Sequence, residues 1–142
     1  MTRSYKFIDH TADIAVELSG DSLEELFIAG SEAWLETSTE KIISEADDSL
    51  EIDRSSDSIE ELLVTFLNEL NYLLTTRKWI CLKVESIKIV EENPSWSLSA
   101  ELNGIKMGND VILKQEIKSV TYHQMEIVKK DGKHSTLVVF DI

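Results

Sequence analysis

DIAVELSGDSLEELFIAGSEAW, residues 13–34, changes its hydrophobic period half-way along. Ile14, Val16 and Leu18 share one parity and Ala15, Glu17 and Ser19 the other, the two-residue repeat of a half-buried strand. From Asp21 the repeat becomes helical. Ser22 with Glu25 makes a capping box, and Leu23, Leu26, Phe27, Gly30, Ala33 and Trp34 mark one face. A glycine on that face, Gly30, implies close approach of the helix to a sheet. A second box, Ser58 with Glu61, opens a longer helix with the stripe Ile59, Leu62, Leu63, Phe66, Leu67, Leu70, Leu73 and Leu74. Glu60, Glu61 and Glu69 lie off that stripe. Between the two helices, Leu50 and Ile52 suit a short edge strand whose charged neighbours discourage edge-to-edge pairing.

Beyond Lys78 the chain reads as strands. Residues Ile80 to Val90 alternate, Asn93-Pro94 interrupts, Trp96 to Leu102 alternates again, and Asn103-Gly104 predicts a turn. Residues Ile105 to Glu116 read as a loop with an extended piece at Val111 to Leu113. Ser119 to Val128 and Ser135 to Ile142 then flank KKDGK, where Asp131-Gly132 signals a hairpin. The last run, LVVFDI, is apolar on both parities up to Asp141, as expected of a central strand. Strands, two helices and a block of hairpins predict an α+β fold: two layers, a mostly antiparallel sheet with two helices packed on one face. With 142 residues, no repeat and no Pro/Gly-rich linker, residues 1–142 are expected to form a single domain.

Composition narrows the function classes. One cysteine rules out an internal disulfide and a cysteine zinc site, and Cys81 reads as a small buried hydrophobe. No run approaches the roughly 18 apolar residues of a membrane span, and the N-terminus lacks a signal-peptide core, which predicts a cytoplasmic protein with no membrane partner. The formal charge is −13, and it is uneven. Residues 1–101 carry 22 acids and 8 bases, residues 102–142 carry 5 and 6. Ten acids against Lys41 and Arg54 lie between Glu36 and Glu61. Such a field repels phosphate backbones, so tight direct binding of nucleic acid is not expected, whereas cations and basic protein surfaces are favoured. A purely solvated, solubilising face is the simpler reading of that run.

The segment before the first helix, HTADI, places His10 and Asp13 at the entry to a strand. Asp9, Thr11 and Asp13 can each bond nearby backbone, so a polar turn accounts for them. The chain has no G-x-S-x-G elbow, no P-loop and no H-E-x-x-H, and no activated nucleophile beside an oxyanion donor. A catalyst acting alone, such as a metal-dependent phosphoesterase, is therefore disfavoured.

Five motifs in order, HTAD, SLEELFIAGSEAW, LLVTFLNELNYLL, EIKSVTYH and a terminal VVFDI, resemble the archease family over essentially the full length. That resemblance implies a non-catalytic accessory protein of RNA ligation. It would assist the GTP-dependent ligase of tRNA splicing, promoting its guanylylated intermediate and multiple turnover, with that ligase as protein partner. It also implies a metal site at Asp13, Asp141 and, through main-chain oxygen, Ile142, with Lys118 as a further position linked to activity. Two aspartates and a chain-end oxygen are hard ligands, which suits a divalent cation, Ca²⁺ first and Mg²⁺ or Mn²⁺ as alternatives, over zinc. His10 either orients a carboxylate or bonds the turn backbone. Lys118 is a counter-charge, a ligase contact or a solvent-facing strand residue. His123 suits a structural partner for Tyr122, and His134 an exposed position after the hairpin. Where family members carry a Gly-Glu pair and a histidine before VTYH, this chain has Gly104-Ile105 and no histidine. The alternative function is a metal-independent chaperone or assembly module for RNA-processing enzymes.

Overall fold

The computed structural model describes residues 2–8, 13–121 and 126–142. Strands β1 (Arg3–Ile8) and β2 (Asp13–Gly20) precede helix α1 (Leu23–Ser38). Strands β3 (Thr39–Ile42) and β4 (Asp48–Ser56) lead to α2 (Ile59–Thr75). The remainder is β5 (Trp79–Glu91), β6 (Trp96–Lys106), β7 (Val111–Leu113), β8 (Ser119–Thr121), β9 (Val128–Lys130) and β10 (Lys133–Asp141). Every strand pairing among the described residues is antiparallel, and the α+β class expected from the sequence is what forms.

Those pairings fall into three sheets. The first runs β1-β2-β10-β8, with β9 also on β10; the second is β3-β7; the third runs β4-β6-β5. Both helices begin at the expected serine caps, with Ser22 Oγ accepting from the Glu25 amide and Ser58 Oγ from the Glu61 amide, each at 3.1 Å, while the Glu25 carboxylate pairs with Arg3 instead of closing a reciprocal box. Each helix then contacts strands of the first and third sheets: α1 lies on β1, β2 and β5, and α2 on β4, β5, β6 and β8. The buried side chains Leu26, Phe27, Trp34, Leu62, Phe66, Leu67 and Leu70 form one cluster with Val16, Leu18, Val138 and Phe140 of the first sheet and Leu98 and Leu102 of the third. Burying side chains of this size stabilises the fold by about 1.5–3 kcal/mol each. Gly30 fulfils its expected role. A Cβ there would lie 3.3 Å from Leu18 Cδ1 and 3.3 Å from Leu67 Cδ2, so the missing side chain lets α1 approach both β2 and α2.

Three expectations need correction. Asn103-Gly104 is not a turn: both residues lie inside β6. A Cβ on Gly104 would collide with the Ile80 carbonyl oxygen and the Trp79 ring, so glycine is required there for close strand approach. The edge strand at Leu50 and Ile52 is longer than its apolar pair suggests, nine residues fully in register with β6. Ser119–Val128 is not one strand among its described residues, because β8 ends at Thr121 and β9 begins at Val128. The last run is the central strand expected, β10 between β2 and β8, and it is buried on one face: Thr136, Val138 and Phe140 face the helices, while Leu137 is 45% exposed. The Asp131-Gly132 hairpin forms as expected, with φ of 55° and 78°, the two left-handed residues of a tight two-residue turn.

Candidate functional site

β2 starts at Asp13, β10 ends at Asp141, and the antiparallel register between them sets Asp141 directly opposite Asp13. Directly opposed residues of such a pair point to the same face with Cβ atoms about 4.5–5.5 Å apart. Here that face is the one turned away from the helices, shared with Ala15 and Val139. Both aspartates are half-buried. Among the described residues neither has a Lys, Arg or His within 4.0 Å. Like charges set opposite each other oppose folding, so the pair is a local cost unless a cation arrives.

Ile142 follows immediately. Its side chain is half-buried and packs against the core, which tethers the residue that follows Asp141. Lys118 is also brought to this end, through its backbone: its amide donates to the Asp141 carbonyl at 2.7 Å, while its side chain is exposed. The structure thus assembles Asp13, Asp141, Ile142 and Lys118 at one sheet end. His10 and His123 lie outside the described residues. His134 is half-buried rather than exposed; burial first, then nearby Lys129, lowers its pKa against the opposing pull of Glu24. Cys81 is buried, and burial pushes its thiol up to about 12, which suits the unreactive hydrophobe expected.

Two asparagines missed in the sequence hold this end in place. Asn68 lies beside β8 and imitates a strand: its Nδ2 donates to the Val120 carbonyl at 2.9 Å and its Oδ1 accepts from the Val120 amide at 2.8 Å. Buried Asn71 accepts from Trp34 Nε1 at 3.0 Å and donates to the Ile117 carbonyl at 2.6 Å. Glu60 accepts from the Ile127 amide at 3.0 Å, and the Thr136 hydroxyl donates to the Glu126 carbonyl at 2.9 Å. Helix α2 therefore fixes residues 117–120, which in turn pair with the last residues of β10. The signal was available: Asn68 and Asn71, three residues apart on a helix otherwise rich in leucine, are polar groups that demand partners when buried. Which backbone they would meet was not readable from spacing.

Among the described residues no three His, Cys, Asp or Glu side chains gather as a metal-binding group. A site here would therefore combine the Asp13–Asp141 pair with main-chain oxygen.

The model of the archease protein family matches residues 5–142. This chain belongs to the archease family. It is 35% identical to the archease of Archaeoglobus fulgidus, across 97% of this chain and 98% of that protein. It is 33% identical to the archease of Methanosarcina barkeri, across 99% and 97%. An archease-like protein of Drosophila melanogaster is 30% identical, across 97% and 90%. The solution structure of Methanobacterium thermoautotrophicum protein 1598 superposes with a TM-score of 0.82 at 29% identity, covering 97% of this chain and 98% of that one. The crystal structure of a Thermotoga maritima archease, titled a possible chaperone, gives 0.65 at 25% identity over 96% of each chain. Membership brings an accessory role of the archease type. No described helix is long and apolar enough to cross a membrane.

Proposed function

We propose that this archease is a cytoplasmic, non-catalytic activator of the GTP-dependent RNA ligase of tRNA splicing, promoting the ligase's guanylylation and multiple turnover through a divalent cation held by Asp13, Asp141 and main-chain oxygen of Ile142. The observation that carries this reading is the register that places Asp13 opposite Asp141. The donor set fits a hard cation: carboxylate and main-chain oxygens, no sulfur, and no basic side chain within 4.0 Å of the aspartates among the described residues. Ca²⁺, with its tolerance for six to eight oxygens and water in the shell, is the first choice, and Mg²⁺ or Mn²⁺ the alternatives. When bound, such an ion would supply positive charge near the ligase nucleotide site. The chain's own contribution is to hold two carboxylates at fixed separation on a sheet end, with the exposed Lys118 side chain available to the ligase.

A chaperone or assembly role independent of metal is the second reading, supported by the name of the Thermotoga relative and by the small number of acidic side chains at the site. The two are separated by mixing ligase with substoichiometric Asp13→Ala or Asp141→Ala protein and following guanylylation over several turnovers. The metal reading expects activation to fall by about 100-fold, in step with lost Ca²⁺ binding. Undiminished activation by both variants would sink it and leave the chaperone reading standing. A parallel Ca²⁺ titration comparing protein that stops at Ile142 with protein extended past it checks whether a terminal carboxylate oxygen takes part, and equal binding would remove it from the ligand set.

A further inference from the structure

We propose that the free edge of β4 is a strand-addition site for an extended segment of a partner protein in which basic residues alternate with apolar ones. β4 ends its sheet and bonds only β6. Its odd-numbered residues turn their main chain off the sheet. The Ser49 amide donates to Asp48 Oδ1 at 2.9 Å, and the Asp53 carbonyl accepts from Arg54 Nη1 at 2.6 Å, both bonds within the strand itself. By the alternation of an antiparallel strand, Glu51 and Ser55 present their N–H and C=O groups on the same side. With the Ser49 N–H and the Asp53 C=O held by side chains of the strand itself, the outward groups of Glu51 and Ser55 are the ones that can template another strand.

The two faces beside that edge specify the occupant. On the helix side, a cleft of about 480 Å³ has Leu50, Ile52, Tyr72 and Leu73 in its wall together with the Arg54–Glu69 ion pair and Arg77, it also reaches Glu51 and Asp53, and Tyr72 is 46% exposed. On the outer side stand Glu51 and Asp53. Glu51 is set directly opposite Glu101 on β6, and Asp53 Oδ1 is met by the Ser99 hydroxyl at 2.8 Å. None of these three acids has a basic side chain within 4.0 Å among the described residues. An incoming strand therefore gains by placing Lys or Arg against Glu51 and Asp53 and apolar residues over the cleft. A second copy of this chain does not suit. Antiparallel pairing of β4 with itself, centred on residues 51–53 with faces preserved, sets acid against acid. The proposal gives the acidic run around β4 a docking role in place of a merely solvated one, and it is independent of the Asp13–Asp141 site.

The test uses the full chain and a synthetic probe, the capped peptide KVKVKVK, with EVEVEVE as control, read by amide hydrogen exchange and a binding titration. The expected result is slowed exchange at the Glu51 and Ser55 amides and salt-sensitive binding of the basic peptide only. Glu51→Pro, which removes an outward N–H without touching the β6 ladder, should abolish binding. The exposed double variant Glu51→Lys/Asp53→Lys should weaken it by about tenfold or more, which keeps the test valid if the proline variant misfolds. Wild-type affinity in these variants, equal binding of the acidic peptide, protection at another edge, or self-pairing of β4 with rising protein concentration would each overturn the proposal. Asp13→Ala protein should bind the peptide like wild type, so this outcome and that of the ligase assay are separable.

Discussion

Two aspartates bracket β2, and the protein treats them in opposite ways. Asp21, just past its C-terminal end, is fully answered: Lys133 Nζ donates to Oδ1 at 2.9 Å, the Thr2 amide to Oδ2 at 2.8 Å and the Thr2 hydroxyl to Oδ1 at 3.0 Å. The Lys133 bond, followed by the Thr2 bonds, holds this carboxyl down at about 2. Asp13, at the other end, faces another aspartate. The chain could have placed a lysine opposite Asp13, as it did beside Asp21, and did not. A carboxylate satisfied by protein groups is structural; an opposed pair with no basic partner among the described residues is where the proposed cation would act.

Three perturbations bear on that contrast. The largest effect is expected from Asn71→Ala, which strips partners from the buried Trp34 Nε1 and Ile117 carbonyl and should cost about 2–4 kcal/mol in denaturant unfolding. It should also speed exchange of the Lys118 amide, loosening the Asp141 end while the Asp21 end keeps its bonds. Unchanged exchange at Lys118 would mean that α2 does not position the site.

Smaller and opposite in sign is Asp13→Asn in chelator-treated protein. Relief of like-charge opposition should stabilise the fold by about 0.5–1 kcal/mol, while Ca²⁺, which should raise the melting temperature of wild type, should no longer do so. Destabilisation in the absence of metal would show that Asp13 is satisfied by the protein after all, like Asp21.

The smallest effect belongs to Lys133→Ala. The folded carboxyl of Asp21 titrates near 2 against an ordinary value of 3.8, so its contribution is present above about pH 4 and is lost as pH falls toward 2. Stability curves of wild type and Lys133→Ala should therefore converge below pH 2 and separate above pH 4. A gap that does not depend on pH would assign the loss to packing. Because the carboxylate is exposed, the separation should be slight.

Much of the fold was legible because its signals are local. The serine caps at Ser22 and Ser58, the stripes of α1 and α2 and the Asp131-Gly132 turn depend on residues within a few positions of one another, and these formed as read. Gly104 misled because glycine serves two ends, a left-handed turn or a close backbone approach, and only the Ile80 and Trp79 neighbours distinguish them. β10 proved central as its apolar residues on both parities indicated, though coverage of its second face depends on a layer the sequence cannot place. Asp13, Asp141, Ile142 and Lys118 were singled out by resemblance, not by spacing, since more than a hundred residues separate the two aspartates.

The sequence by itself determined where helices start, which faces they bury, where the last hairpin turns and that the chain carries a net charge of −13. Those outcomes follow from short-range sterics, hydrogen bonding and summed charge. Tertiary structure alone decided that Asp13 meets Asp141, that Asn68 and Asn71 brace the segment beside them, and that β4 keeps an open edge. Each of these depends on strand register and on which segments pack together, and both are settled by the shared core acting on residues far apart in the chain.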